Sequence, residues 1–219
     1  MQNNHPELFV ISAPSGAGKS TLIKKFLSSN NNFELSVSAT TRPPRDGEVD
    51  GVHYQFISDD KFKSLEDEGA FIEFAQVHNH RYGTLKSFID NKFIQGKSII
   101  LDIDVQGFMQ IKNSNILNSS IFILPPSFKE LKKRLEDRKS DTNSAINKRM
   151  ANAREEVQYY GEYDFVIVND DVEEAIKTFE NIIFTKNHSL NKNLIEKILQ
   201  DMLSCLLYTS DAADEEDSV

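Results

Sequence analysis

Apolar residues along the chain follow two alternating patterns, which predict buried strands separated by helices. Runs of consecutive apolar residues, typical of strands covered on both faces, occur at Leu8–Ala13, Ser98–Ile103, Ser120–Leu124 and Phe165–Val168. Helical periodicity follows these runs at Lys19–Ser29, Val105–Lys112, Phe128–Arg138 and Asp171–Lys186. Since strands that alternate with helices form parallel sheets, we expect an α/β fold with a parallel-sheet core and helices on both faces.

Two segments depart from this alternation. The first holds short β-type runs around the turn-rich loop Pro43–Gly51, at Leu35–Ser38, His53–Ile57 and Phe71–Val77. It predicts a small, mostly-β lobe inserted into the core. The second, Lys139–Gln158, is helical in pattern but polar and basic. Because we find little apolar face on it, we expect a mobile helical lid rather than a core helix.

The composition excludes several classes of protein. At 219 residues the chain is long enough for one α/β core with small inserted lobes. Its net charge of −9 gives no reason to expect a nucleic-acid partner. No apolar run is long enough to cross a bilayer, and residues 1–6 do not resemble a signal peptide. The single cysteine, Cys205, offers no disulfide framework, so we expect a cytoplasmic protein that does not bind a membrane.

The C-terminal residues differ from the rest of the chain. Apolar residues with the spacing of an amphipathic helix predict a helix over residues 191–204, namely Leu194, Ile195, Ile198, Leu199 and Met202. Residues 205–219 are acidic and resemble the conceptual translation of a sequencing-library adapter. We interpret them either as read-through that is not native protein or as a disordered acidic tail, and we leave them out of the fold prediction.

A glycine-rich turn joins the first predicted strand to the first predicted helix. Glycines let backbone N–H groups point inward, where the positive end of the helix dipole also favours an anion. The turn follows the pattern G-x-x-x-x-G-K-[ST], which binds nucleoside triphosphates, except that Ala13 replaces the first glycine. We therefore predict that a triphosphate binds to Ala13, Pro14, Ser15, Gly16, Ala17, Gly18, Lys19, Ser20 and Thr21.

We expect distinct roles for the two polar residues at the end of this turn. Lys19 would reach the β- and γ-phosphates, and the hydroxyl of Ser20 would bind Mg²⁺. Asp102 and Asp104 close a buried strand at its C-terminal end, at the sheet edge where α/β proteins bind ligands. The tetrad that begins at Asp104 also matches the D-x-x-G motif of GTPases. Because none of the Asn-Lys pairs at 91, 147 and 191 continues as N-K-x-D, we reject a GTPase.

A second phosphate site is predicted in the β lobe. Arg42 and Arg45 lie three residues apart on a rigid Pro-Pro turn, and Tyr54 follows them. Guanidinium groups match the geometry of phosphate oxygens. Solvent-facing arginines would be the ordinary interpretation of such a loop. The triphosphate turn elsewhere in the chain makes a second phosphate site the better interpretation.

Several motifs in a fixed order then resemble the guanylate kinase family. They run from about Leu8 to Lys186 and comprise Ser36–Gly51, Phe71–Ala75, Tyr82–Thr84, Ile100–Gly107 and Val166–Asp170. The resemblance implies an ATP:GMP phosphotransferase that also accepts dGMP and uses Mg²⁺. It also implies a three-part chain: a core (1–33, 85–138 and 162–190), a GMP-binding lobe (34–84) and a lid with its following helix (139–161).

The same resemblance assigns roles to single residues. It places the GMP phosphate on Arg42, Arg45, Tyr54 and Tyr82, and the guanine base against Ser38, Glu73, Thr84 and Asp104. Guanine presents N1–H and N2–H₂ donors beside an O6 acceptor, so a carboxylate such as Glu73 suits it and a buried mismatch would reject adenine.

The resemblance also assigns the residues around ATP. It implies that Asp102 holds Mg²⁺, that Asn169 and Asp170 lie near the adenine, and that Arg138 and Arg149 close over the transferring phosphoryl group. Two other functions stay open: an inactive scaffold that binds peptides, and a kinase for a base-free acceptor such as a ribose bisphosphate. The pattern also leaves a homo-oligomer open.

Overall fold

The structure is a computed structural model that describes residues 5–77, 79–114, 116–137, 142–189 and 191–204. The strands in these ranges are β1 (Leu8–Ser12), β2 (Phe33–Leu35), β3 (Ala39–Thr40), β4 (Gln55–Phe56), β5 (Phe71–Val77), β6 (His80–Leu85), β7 (Ser98–Asp102), β8 (Ser119–Leu124) and β9 (Phe165–Val168). The helices are α1 (Lys19–Ser29), α2 (Asp59–Asp67), α3 (Lys86–Ile94), α4 (Val105–Asn113), α5 (Phe128–Glu136), α6 (Asn143–Val157), α7 (Val172–Thr185) and α8 (Lys192–Ser204), with a 3₁₀ turn at Tyr160–Glu162.

The chain divides into two compact units. The first takes in residues up to Ser12 and Lys24–Ser120. Its parallel strands run in the order β2-β7-β1, with Ile11 of β1 in register with Asp102 of β7. All five residues of β1 are buried, which is why the first four, Leu8 to Ile11, are apolar. Helices α3 and α4 pack against β7 and β1.

The first unit also carries a separate mixed sheet in the order β4-β3-β6-β5. Strands β3 and β4 are parallel, whereas β6 is antiparallel to both β3 and β5. Ala39, Phe62 and Phe71 form its buried core, and the two phenylalanine rings stack with their centroids 4.5 Å apart. This sheet is the small, mostly-β lobe that the sequence predicts, but one predicted strand is displaced. The strand expected in the lobe at Leu35–Ser38 is instead β2, which spans Phe33–Leu35 and pairs in parallel with β7.

The second unit takes in Ala13–Ile23 and the residues from Ile121 onward. Strands β8 and β9 pair in parallel, and α7 packs against β9. Helices α5, α6 and α8 pack against one another. Parallel strands with covering helices, together with the separate mixed sheet, confirm the predicted α/β fold class.

Helix α8 is held to the rest of the second unit by polar contacts at its C-terminal end. Asp201 accepts a hydrogen bond from the backbone N–H of Phe128 (2.7 Å), at the first residue of α5. Arg154 of α6 donates to the carbonyl of Met202 (3.2 Å), and its guanidinium lies 4.4 Å from the ring centroid of Phe128. One arginine therefore joins α5, α6 and α8.

The prediction that residues 139–158 form a helix with little apolar face is wrong in one respect. Helix α6 buries Ile146, Met150, Ala153 and Val157, which recur at the spacing of one helix face. The stripe is narrow, and polar residues between its members conceal it in the sequence. Residues 138–141 and the tail 205–219 lie outside the described residues.

Within the described ranges, the strands and α-helices that the sequence patterns did not predict are β3, α2, β6 and α3. Among the described residues, no helix combines the length and the apolar character needed to cross a bilayer.

Candidate active site

The glycine-rich turn adopts a conformation that its glycines make accessible. Gly16 and Gly18 have φ angles of 97° and 93°, in the region that other residues rarely adopt. Between them, the N–H of Ala17 donates to the carbonyl of Pro14 (3.0 Å). Helix α1 then begins at Lys19, and the carbonyl of Gly18 accepts from the N–H groups of Thr21 and Leu22. The turn thus leads directly into a helix N-terminus, which is the arrangement that binds phosphate.

The second unit packs closely around this turn. A Cβ atom on Gly16 would lie 2.9 Å from a methyl carbon of Leu131 and 3.0 Å from one of Leu135. A Cβ atom on Gly18 would overlap the side-chain nitrogen of Asn169. Glycine is therefore favoured at both positions by backbone conformation, and at Gly18 also by space.

Asn169 contacts the turn directly. It is 1% exposed, and its side-chain N–H₂ donates to the carbonyl of Ala17 (2.7 Å). Its own backbone carbonyl accepts from Arg134 (3.0 Å), whose Nε donates to Glu130 (2.9 Å). This contact with the loop backbone is a feature that sequence reasoning missed. Asp170 is exposed beside it.

Of the two predicted lid arginines, Arg149 lies among the described residues. Arg149 lies on α6, and its Nη1 is 3.5 Å from the hydroxyl oxygen of Ser15, which belongs to the glycine-rich turn. The helix thus brings one guanidinium to the glycine-rich turn. Arg138 lies outside the described residues, so its predicted role stays a prediction.

Arg42 is the centre of the predicted second phosphate site. It is 8% exposed and donates twice from Nη2 to the carboxylate of Glu48 (2.8 and 2.9 Å) and from Nη1 to the carbonyl of Pro43 (2.8 Å). The hydrogen bond to Glu48 is the main cause that raises the pKa of Arg42. Its guanidinium lies 5.4 Å from the ring centroid of Tyr54, and Tyr82 packs edge-on against Tyr54.

Glu48 is the second residue that sequence reasoning missed. Besides Arg42, it accepts the backbone N–H of Arg45 (2.8 Å) and so fixes the turn that carries both arginines. The hydrogen bond from Arg42 holds the pKa of Glu48 below its usual range. The spacing of Arg42 and Glu48 across Pro43-Pro44 was the signal available in the sequence.

A buried carboxylate lies in the same unit. Glu73 is 5% exposed and accepts the hydroxyl hydrogen of Thr84 (2.6 Å), whose oxygen is 3.4 Å from that of Ser38. Burial is the main cause that raises the pKa of Glu73 from 4.5 to about 7. The Thr84 hydrogen bond opposes this shift, and the charge of Asp104 adds to it.

Nearly all of the predicted substrate residues line one cavity of about 290 Å³ within the first unit. They are Ser38, Arg42, Arg45, Tyr54, Glu73, Tyr82 and Asp104. Thr84 lies fully buried behind Glu73. Asp102 also reaches the cavity, and Asp104 caps α4 by accepting the N–H of Gly107 (2.9 Å). Guanidinium groups and a buried carboxylate thus share a single cavity.

Comparison with known proteins gives one consistent result. The family model described as guanylate kinase matches residues 5–186. The chain is 44% identical over 207 residues to guanylate kinase from Pseudoalteromonas translucida (strain TAC 125), covering 94% of this chain and 100% of that protein. It is 42% identical over 204 residues to guanylate kinase from Clostridium perfringens (strain SM101 / Type A), covering 92% of this chain and 94% of that protein.

A solved structure agrees with the sequence comparisons. The crystal structure of guanylate kinase from Anaplasma phagocytophilum superposes with a TM-score of 0.67 at 31% sequence identity. The match covers 89% of this chain and 96% of that one.

Proposed function

We propose that this chain, which belongs to the guanylate kinase family, transfers the γ-phosphoryl group of ATP to GMP and releases ADP and GDP. The cavity of the first unit carries the proposal. It combines an anchored guanidinium, Arg42, with a buried carboxylate, Glu73. A nucleoside monophosphate with a guanine base offers the matching groups, namely a phosphate and adjacent N–H donors.

The phosphate of GMP would bind to the donors around Arg42. The residues in this role are Arg42, Arg45, Tyr54 and Tyr82. Because Glu48 and Pro43 already hold the Arg42 guanidinium in one position, its remaining N–H groups can donate to the substrate phosphate with little further loss of side-chain entropy. The bond to Glu48 also keeps this buried cation paired before substrate arrives.

The guanine base would bind to the other end of the cavity. The ionised carboxylate of Glu73 would accept N1–H and N2–H₂, supported by Ser38, Thr84 and Asp104. Adenine presents an acceptor at N1, so it would leave a buried carboxylate facing a lone pair. A mismatch of this kind discriminates by about 10⁴ or more. dGMP shares the base and the phosphate, and we expect it to be a substrate as well.

ATP would bind to the glycine-rich turn, Ala13–Ser20, with Thr21 at the helix start and Asn169 and Asp170 on the adenine side. Asn169 would add a second role, since its contact with Ala17 keeps the turn in its phosphate-binding shape. Lys19 would neutralise charge on the β- and γ-phosphates. Arg149, near Ser15, and Arg138 would neutralise charge that develops on the transferring group.

The chemistry needs no general base, because the attacking atom is an anionic oxygen of the GMP phosphate. A bond forms between this oxygen and the γ-phosphorus of ATP, while the bond from the γ-phosphorus to the bridging oxygen breaks and ADP leaves. The chain's residues align the two phosphates, neutralise their charge and exclude water. We place the reaction in the cytoplasm, in line with the single cysteine.

The donor groups available for Mg²⁺ are the hydroxyl of Ser20 and the carboxylate of Asp102. Both are hard oxygen ligands, which Mg²⁺ prefers. In the described part of the chain, no three His, Cys, Asp or Glu side chains cluster to hold a metal. When bound, Mg²⁺ would neutralise charge on the β- and γ-phosphates.

The test is a coupled assay of ADP release with GMP, dGMP, AMP, UMP and ribose phosphates as acceptors. We expect ADP release that depends on GMP or dGMP. An enzyme that releases ADP with ribose phosphates but not with GMP would be a different kinase. A protein inert with every acceptor would be a scaffold. Either result would overturn the proposal.

Lys19→Ala tests the triphosphate site in the same assay. We expect loss of ADP release with an unchanged circular dichroism spectrum, because Lys19 is only half-buried at the first residue of α1. Lys24→Ala, an exposed lysine on the same helix, is the matched control and should retain activity. Near-normal turnover of Lys19→Ala would contradict the assignment.

A further inference from the structure

One face of α4 is directed at the base end of the cavity. Asp104, Gly107 and Gln110 are spaced three residues apart, so they lie along one side of the helix. Asp104 caps the helix and lines the cavity. A Cβ atom on Gly107 would lie 2.6 Å from Oε2 of Glu73, so only glycine leaves room for this carboxylate. Gln110 is the member of the row that the proposed function does not use.

Gln110 makes two hydrogen bonds to one backbone residue of β5. Its Oε1 accepts the N–H of Phe74 (3.1 Å), and its Nε2 donates to the carbonyl of Phe74 (2.6 Å). In the described part of the mixed sheet, β5 lies at the edge and pairs with β6. A carboxamide carries both a donor and an acceptor, so Gln110 satisfies the outward-facing groups of Phe74 as a neighbouring strand would.

The position of this contact along β5 matters because the strand is irregular there. The pairing of β5 with β6 shifts register between Phe71 and Glu73. Phe71, Ile72 and Glu73 are therefore buried in succession, whereas a regular strand would alternate. Glu73 follows the irregularity directly, and Phe74 is the next residue. A strand that bends at this point needs a fixed point beyond the bend to hold the Glu73 side chain in one direction.

We propose that Gln110 is a positioning residue for guanine selectivity: by fixing the backbone of Phe74 to α4, it aims the Glu73 carboxylate at the base. This inference rests on the proposed function, since it assumes that Glu73 binds the guanine N–H groups. Gln110 itself does not touch the substrate. Its effect passes through the strand, and α4 thereby sets the distance between Glu73 and Asp104.

The critical comparison is between GMP and IMP, which differ only in the 2-amino group. Glu73 would accept a hydrogen bond from this group. We expect Gln110→Leu, which has no hydrogen-bonding group, to lower kcat/KM for GMP about tenfold, the equivalent of one to two lost hydrogen bonds. The loss for IMP should be smaller, so the GMP/IMP ratio should fall. KM for ATP should not change.

Two further variants separate positioning from general damage. Gln110→Glu keeps the size and one acceptor, but its carboxylate would face the Phe74 carbonyl, so the GMP/IMP ratio should fall here too. Gln106→Leu, an exposed glutamine on the same helix, is the matched control and should leave the ratio unchanged. Melting temperatures for all variants detect any loss of folding.

A double variant provides the decisive measurement. If Gln110 acts through Glu73, then Gln110→Leu should change the GMP/IMP ratio in the native background but not in a Glu73→Gln background. An unchanged ratio in the single variants, or an equal added loss in the Glu73→Gln background, would overturn the inference. A Glu73→Gln variant that discriminates GMP from IMP as well as the native protein would instead overturn base recognition by Glu73.

Discussion

Glu73→Gln gives a quantitative test of the buried carboxylate. Burial raises the pKa of Glu73 from 4.5 to about 7 in the folded protein. Between these pH values the folded protein binds a proton that the unfolded chain has released. The contribution of Glu73 to stability is therefore present below pH 4.5, falls as the pH rises, and is fully lost above about 7.

The magnitude follows from the difference between the two pKa values. About 2.5 pH units correspond to about 3 kcal/mol over the whole range. Between pH 5.5 and pH 8, where the protein can be studied away from acid unfolding, the expected loss is about 2 kcal/mol. Glutamine has nearly the same shape, can still accept the Thr84 hydroxyl hydrogen and does not titrate, so the variant should escape this loss.

The assay is urea unfolding of the nucleotide-free protein at pH 5.5 and pH 8. From pH 5.5 to pH 8, we expect the free energy of unfolding of Glu73→Gln to rise by about 2 kcal/mol relative to that of the native protein. Glu196→Gln removes an exposed carboxylate and controls for the change in net charge. If the free energies of unfolding of the native protein and Glu73→Gln differ by the same amount at pH 5.5 and at pH 8, the carboxylate does not titrate as its burial requires.

The remaining predictions concern the glycine-rich turn, the C-terminal helix α8 and the base end of the cavity. Gly18→Ala should weaken binding of a non-hydrolysable ATP analogue at least about tenfold by calorimetry, because alanine is strained at this φ and its Cβ would overlap Asn169. Gly161→Ala, whose Cβ would meet no atom within 4 Å, should bind normally; equal affinity of both variants would contradict the packing argument. Arg154→Met should lower the free energy of unfolding by about 1–2 kcal/mol, since it loses the bond to Met202 and the charge over Phe128; an unchanged urea midpoint would show that α8 does not depend on this contact. Discrimination between GMP and AMP should weaken from pH 8 to pH 6, because the protonated Glu73 carboxyl can donate to adenine N1; a GMP/AMP ratio of kcat/KM that is constant with pH would refute this.

The elements predicted best from the sequence are those that are buried on both faces. Strand β1 is apolar except for Ser12 because all of its side chains are covered, and most of β7 and β8 is likewise buried. The start of α5 was also predictable. Ser127 accepts the N–H of Glu130 (3.0 Å), as its serine and glutamate spacing indicates.

The missed elements have weak local signals for physical reasons. Strand β6 has the sequence His-Arg-Tyr-Gly-Thr-Leu, in which Tyr82 lines the cavity and the two buried residues are Gly83 and Thr84. Because neither buried residue is a large apolar one, no apolar alternation develops. Helix α3 begins directly after it with no side-chain cap at Leu85, so its start carries no recognisable residue. Helix α2 does have a cap, Ser58, which the sequence interpretation did not use.

The candidate site likewise combines residues that local sequence reveals with contacts that only packing creates. The residue types of the glycine-rich turn and of the residues around Arg42 can be recognised in the sequence, because each proposed role needs a specific side chain at a specific spacing. The contact between Asn169 and Ala17 joins residues 152 positions apart. The burial of Glu73 depends on an irregularity of β5. Neither can be inferred from local pattern, since both arise only when the strands and helices pack.

The two ends of the cavity differ in how much of their charge is compensated before substrate binds. Arg42 is paired with Glu48, and that hydrogen bond raises its pKa, so the phosphate end is assembled in the free protein. Glu73 has a neutral hydroxyl as its partner, and its pKa is raised because ionisation costs free energy there. Under the proposed function, any nucleoside monophosphate could bind at the phosphate end, whereas only a base that supplies N–H donors would relieve the cost at the other end. Selectivity for guanine would then follow from the instability of the ionised carboxylate rather than from the arginine cluster.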